Sequence, residues 1–216
     1  MRILISFIFI LLLTLLSSCG KETFKGSGTV ATEERVITAV DEVQNEGIID
    51  LEIFESPTLS LEVTSDVDLM DNVLTTISGA RLNISLVDGN YEVDNFKVRV
   101  GLPDISFISN TGTGDVSLIG FNGLDALRIN SSGTGDLTFQ GSAQMLDIET
   151  SGIGNFNGFH FSCEAITINQ SGIGQSELTA SESITGSLSG IGDIFFKGMP
   201  TINVEVTGSG EIIDAN

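Results

Sequence analysis

The sequence predicts an all-β protein: a right-handed parallel β-helix (solenoid) of about six coils, preceded by a partly antiparallel β region. Three observations predict it. Paired glycines recur along the second half at a near-constant interval. Apolar residues stand two apart at fixed offsets on either side of those pairs, as they do along one face of a strand. Of 25 glycines, 18 lie beyond Phe107, whereas Pro200 is the only one of three prolines there, so the two halves of the chain are built differently.

In chain order, the first element is an export signal. Arg2 precedes a charge-free run of 14 residues, Ile3 to Leu16, followed by Ser17, Ser18 and Cys19. A membrane span needs about 20 apolar residues to cross about 30 Å of hydrocarbon, so the run suits a signal-peptide core better. "LSSC" resembles the bacterial lipobox, in which an aliphatic and two small residues precede a cysteine that is lipidated and becomes the mature N-terminus. Residues 1–18 are therefore expected as a lipoprotein signal peptide, Cys19 as the lipidation site and residues 19–28 as a short lipidated tether. An uncleaved anchor and an ordinary signal peptide with an incidental cysteine are the alternatives. Gly20 is not Asp, which by the same resemblance favours the outer membrane.

Residues 29–216 read as one domain. Its first part, 29–106, alternates apolar and charged residues, as in "IDLEIF" and "LSLEV", with turn signals at Pro57, Asp88-Gly89-Asn90 and Pro103. Several strands, some antiparallel, are expected to cover or lead into the first coil. "DLMDNVLTTI" reads as one helical turn.

The second part, 107–216, carries the repeat. The first glycines of the pairs are Gly112, Gly133, Gly152, Gly172, Gly190 and Gly208, at spacings of 21, 19, 20, 18 and 18 residues. Self-similarity at such a period marks stacked repeats. Four residues upstream of the glycine stand Ile108, Ile129, Ile148, Ile168, Gly186 and Val204. Six upstream, Leu127, Leu146, Ile166, Ile184 and Ile202 follow Ser106. Downstream lie Val116 and Leu118, Leu137 and Phe139, then Ile194 and Phe196. Each repeat reads as strand, tight corner, strand, with coils about 4.8 Å apart. Parallel crossovers are overwhelmingly right-handed, and no six-residue period of the left-handed type occurs.

Glycine adopts positive φ without penalty and leaves room where a side chain would strike the neighbouring coil. A phosphate loop would instead show one glycine cluster between strand and helix, with a lysine. A hydroxyl residue precedes each pair: Thr111, Ser132, Ser151, Ser171, Ser189 and Thr207. A short polar column follows: Asp115, Asp136, Asn155, Gln175, Asp193 and Glu211. Both can bond backbone groups that the corner leaves unpaired.

"GSGTVATEERVITAVDEV" at Gly26–Val43, the "IIDLEIFESPTLSLEVTSDVDLMDNVLTTISGARLNIS" block and the serial "SGTGD" and "SGIGD" corners together resemble the family "putative auto-transporter adhesin, head GIN domain". The resemblance spans essentially the whole mature chain. It implies an exported β-helical domain, often lipid-anchored and adhesin-like, and supplies no catalytic residues to carry over. Asn155 and Gln175 depart from the acidic corner position, which weakens any ion-binding reading there.

Composition and residue chemistry narrow the function. Without Arg2 the mature chain carries 8 basic and 29 acidic residues, a formal charge of 8 − 29 = −21. Phosphates would be repelled, which argues against nucleic acid or an anionic lipid surface as a partner; the charge also reads as an ordinary solubility device. Cys163 is the one thiol besides Cys19, and nucleophilic chemistry would need a base beside it; His160, the sole histidine, stands three residues away in no recognisable motif. Asp115 over Asp136, and Asp193 over Glu211, could form a calcium ladder, but Asn155 and Gln175 interrupt it. No cofactor or metal is expected. A carbohydrate-active β-helix enzyme, a polysaccharide lyase or glycoside hydrolase, is the alternative function. Beyond Phe107 only Arg128 and Lys197 are basic, and with no Trp and only Tyr91 little is left for sugar stacking. The reading is a non-enzymatic interaction or structural module, membrane-bound through its N-terminal lipid and facing a protein or glycan partner. Its last coil, guarded by Asp214 at most, invites self-association into a homo-oligomer.

Overall fold

The protein is described by a computed structural model over residues 21–93 and 95–216. The expected signal peptide, 1–18, and Cys19 lie outside the described residues. The first half holds β1 (Thr23–Phe24), β2 (Val30–Glu34), β3 (Glu42–Asn45), β4 (Asp50–Glu55) and β5 (Ser60–Asp66). A 3-10 helix at Val67–Asn72 takes only the first half of the segment expected as one helical turn; the second half is strand, β6 (Val73–Ser78), and β7 (Arg81–Leu86), β8 (Asn90–Tyr91) and β9 (Lys97–Leu102) follow. The second half begins with β10 (Phe107–Asn110), β11 (Val116–Ile119) and β12 (Leu124–Ser131). Next come the long β13 (Leu137–Thr150), β14 (Phe156–Gln170) and β15 (Ser176–Leu188), then β16 (Ile194–Lys197), β17 (Thr201–Val206) and β18 (Ile212–Asp214).

The second half is a β-solenoid. On one side of the corners β10, β12, the later parts of β13, β14 and β15, and β17 stack in parallel. On the other side β11, the early parts of β13, β14 and β15, then β16 and β18 do the same. The ladder pairs Ile108, Ile129, Ile148, Ile168, Gly186 and Val204 in succession, the column read from the sequence. Val116, Leu137, Phe156, Ser176, Ile194 and Ile212 form a second column. Most members are buried, and each buried Val, Leu, Ile or Phe contributes about 1.5–3 kcal/mol of apolar burial.

The stack extends further upstream than the glycine pairs. β3 pairs in parallel with β10 and β4 with β11, so Glu42–Glu55 forms another rung. Beyond it lie β7 on β3 and β9 on β4, again parallel although later in the chain. Antiparallel strands then close this end: β6 on β7, β5 on β9, and β2 on β5. Arg99 ties the closure together, bonding Glu52 at 2.8 Å and Glu62 at 3.1 Å while its guanidinium lies over Phe54.

The expected tether is docked over its described part. β1 pairs with β8, Phe24 stacks on Tyr91 with ring centres 5.0 Å apart, and Lys25 pairs with Glu92 at 2.8 Å. The Gly28 N–H donates to the buried carboxylate of Asp66 at 2.6 Å. Aromatic stacking and backbone pairing hold these described residues against the fold.

Candidate functional site

The corners align along one ridge. Thr113, Thr134, Ile153, Ile173, Ile191 and Ser209, the middle residues of the glycine pairs, are joined by successive parallel bridges, five steps linking six corners. Each donates its N–H to the first glycine of the preceding corner; Ile173 reaches Gly152 O at 2.9 Å and Ile191 reaches Gly172 O at 2.9 Å. Thr113 reaches Gly47 O in the same way, so the ridge begins one rung before the first pair.

Backbones this close leave no room for a side chain. A Cβ on Gly152 would overlap Gly133 O, although Gly152 does not have positive φ. Gly154 combines a similar clash with φ +151°. Close approach therefore demands the first glycine, and both approach and backbone conformation demand the second.

The polar column is a hydrogen-bond ladder. Asp115 N–H donates to Asp50 Oδ1 at 3.0 Å, Asp136 N–H to Asp115 Oδ1 at 2.9 Å, and Asn155 N–H to Asp136 Oδ1 at 2.8 Å. Gln175 N–H donates to Asn155 Oδ1 and Glu211 N–H to Asp193 Oδ1, both at 2.9 Å. Each short side chain satisfies the backbone of the next rung rather than its own corner. Among the described residues, no group of three or more His, Cys, Asp or Glu is placed to hold a metal ion.

A further column escaped the sequence reading. Asn45, Asn110 and Gln170, two residues before a corner's first glycine, are buried inside the solenoid. Their amides donate to corner carbonyls: Asn45 to Ile49 O at 2.8 Å, Asn110 to Gly114 O at 3.3 Å and Gln170 to Gly174 O at 2.6 Å. The signal was an amide at a fixed offset within an apolar strand, where an unpaired polar group would be costly.

Toward solvent the ridge is apolar in its later rungs. Ile153, Ile173 and Ile191 are 56%, 50% and 57% exposed, stacked directly over one another. Polar Thr113 and Thr134 continue the column on one side and Ser209 on the other.

The other candidates are dispersed. Cys163 is buried on β14, and burial pushes its thiol up to about 12, so it stays protonated. His160, on the same strand, is exposed, and the two are not brought together. Arg128 lies 3.8 Å from Asp147 and 3.6 Å from Glu149, while Lys197 stands over the Phe159 ring at 4.0 Å. Tyr91 is engaged with Phe24 and donates its hydroxyl to Val87 O at 2.7 Å. Asp214, on β18, accepts from the Asn216 side chain at 2.6 Å.

The model of the family described as "Putative auto-transporter adhesin, head GIN domain" matches residues 39–200. The chain belongs to the head GIN domain family. The match takes in the β3–β4 rung and five of the six glycine-pair corners. The fold resembles a solved structure of a putative adhesin from Bacteroides fragilis, with TM-score 0.74, 20% identity, and 88% of this chain and 99% of that one covered. It also resembles a putative lipid binding protein from Parabacteroides distasonis, with TM-score 0.57, 20% identity, and 90% and 100% covered. A putative adhesin from Parabacteroides merdae gives TM-score 0.54 at 15% identity, with 90% and 100% covered. No curated protein matches the chain. At these identities the solved structures establish the shared fold of this head GIN domain.

Proposed function

We propose that this head GIN protein is an exported cell-envelope lipoprotein, anchored through Cys19 in the outer membrane, whose solenoid is a non-enzymatic, adhesin-like interaction module. The observation that carries the module reading is the ridge. Three aliphatic side chains project from rigid corners in a straight column, and contiguous exposed apolar surface on a soluble face marks a contact site. Its rigidity means that a partner protein or glycan is met without ordering a loop. The adhesin-like character of the family supports a place at the envelope.

The test replaces Ile153, Ile173 and Ile191 together by Thr, the residue that Thr113 and Thr134 already place on this ridge. Residues 21–216 carrying the substitutions should melt like the parent yet lose binding partners captured from envelope extracts. Undiminished capture would remove the ridge from the proposal, and turnover of any member of a glycan panel would remove the non-enzymatic reading. For the anchor, a fatty-acid label should enter the full chain and be lost in Cys19→Ser; labelling that persists would contradict it.

A further inference from the structure

Two rungs of the buried amide column hold no amide. The ladder that pairs Asn110 with the next rung runs on through Ser131, Thr150 and Gln170, each two residues before the first glycine of its corner. Asn45, Asn110 and Gln170 donate to the carbonyl four residues on, Ile49 O, Gly114 O and Gly174 O. Strand alternation puts Ser131 on the buried side with Ile129, and Thr150 on the buried side with Ile148. Their hydroxyls end a bond closer to the backbone than an asparagine amide nitrogen does. The carbonyls at the matching offset are Gly135 O and Gly154 O, and among the described residues no group donates to either.

A cavity of about 10 Å³ lies behind these two corners, lined by Ser131, Gly135, Thr150 and Gly154, with Gln170 and Ser176 of the next rung. That rung shows what fills the space when an amide is present: Gln170 Nε2 donates to Gly174 O, and its Oε1 accepts from the Ser176 hydroxyl at 2.7 Å. One water needs about 10–15 Å³ and two to four polar partners. The cavity has that volume, two carbonyls, and the hydroxyl of Ser131, a residue only 7% exposed.

We infer that this cavity is the binding site of one structural water, which donates its two hydrogens to Gly135 O and Gly154 O and accepts from the Ser131 hydroxyl. The water stands in for the amides of the neighbouring rungs. A buried carbonyl without a donor is costly, and the water removes that cost twice. It also holds the corners that carry Thr134 and Ile153, where the ridge passes from polar to apolar.

Two substitutions at Ser131 separate a wet cavity from a dry one, with the folding equilibrium constant read by urea unfolding of residues 21–216, which contain the whole described core. Ser131→Val adds apolar volume, displaces the water and leaves the carbonyls without a donor, and should lower the constant about tenfold. In a dry cavity the same valine fills space and stabilises. Ser131→Asn restores an amide at the offset from which Asn110 reaches Gly114 O, so it should lower the constant less than valine does, or raise it. Valine at parental stability or above, or asparagine lowered as far as valine, overturns the inference. A crystal structure of the parent should show one water within about 3.2 Å of both Gly135 O and Gly154 O, and a cavity without one there overturns the inference as well.

Discussion

Replacing Gly152 by alanine isolates the contact on which the corner depends. Its Cβ would overlap Gly133 O and stand 2.8 Å from Ser132 C and 2.9 Å from Gly133 C, where ordinary contact begins at 3.4 Å. Relieving the carbon contacts alone opens the rungs by about 0.5 Å, and relieving the oxygen opens them further. The Ile153 N to Gly133 O bond, 3.0 Å long, and the Gly152 N to Ser131 O bond, 3.4 Å long, would then pass the range of useful hydrogen bonds. Two weakened backbone bonds at about 1 kcal/mol each, added to an overpacking cost of about 1–3 kcal/mol, give about 3–5 kcal/mol. Gly123→Ala is the control: φ is +75°, nothing lies within 4 Å, and the backbone penalty alone is about 1–2 kcal/mol. Urea unfolding of both variants measures the difference. If Gly152→Ala costs no more than Gly123→Ala, close rung contact is not what demands this glycine.

Further outcomes follow from the ladder and the ion pairs. Asp136→Ala leaves Asn155 N–H without its acceptor and should cost about 1–2 kcal/mol by urea unfolding, whereas Asp136→Asn retains an acceptor and should cost less than half as much. Because the ladder oxygens already accept backbone N–H groups, melting curves in calcium and in chelator should superimpose; a rise with calcium would reinstate an ion site. Cys163 should resist a thiol reagent at pH 8 until the protein unfolds, and rapid native labelling would contradict its burial. The Arg99 hydrogen bond and charge hold the Glu52 carboxyl below its ordinary value, so its stabilisation is full above about pH 4.5 and fades as pH falls through the lowered folded-state value. Arg99→Met should therefore flatten the acid limb of stability against pH, and an unchanged limb would refute the assignment.

The repeating half was legible because one geometric demand recurs in every coil. Ile108, Ile129, Ile148 and Ile168 share an offset from their glycines and a column in the fold, and the corners could be aligned by eye. The first rung was hidden because its corner, Gly47-Ile48-Ile49, has only one glycine. Ile49 stands where the second would be and is buried in the core. The closing strands were harder still: β7 and β9 stack ahead of β3 and β4 although they come later, an order set by tertiary pairing that leaves no periodic trace. The polar column was visible as a pattern, but its partner, the N–H one rung onward, became evident only with the stacking.

A pair of engineered cysteines tests the stacked ridge most directly. Ile153 and Ile173 are bridged neighbours on adjacent rungs, and Ile153 and Ile191 are two rungs apart. Adjacent parallel strands lie about 4.8 Å apart, within disulfide reach, whereas two rungs exceed the limit of about 7 Å. Mild oxidation of residues 21–216 should close an internal disulfide in Ile153→Cys/Ile173→Cys and none in Ile153→Cys/Ile191→Cys. Equal cross-linking in both, or none in the first, would contradict the stacked corners.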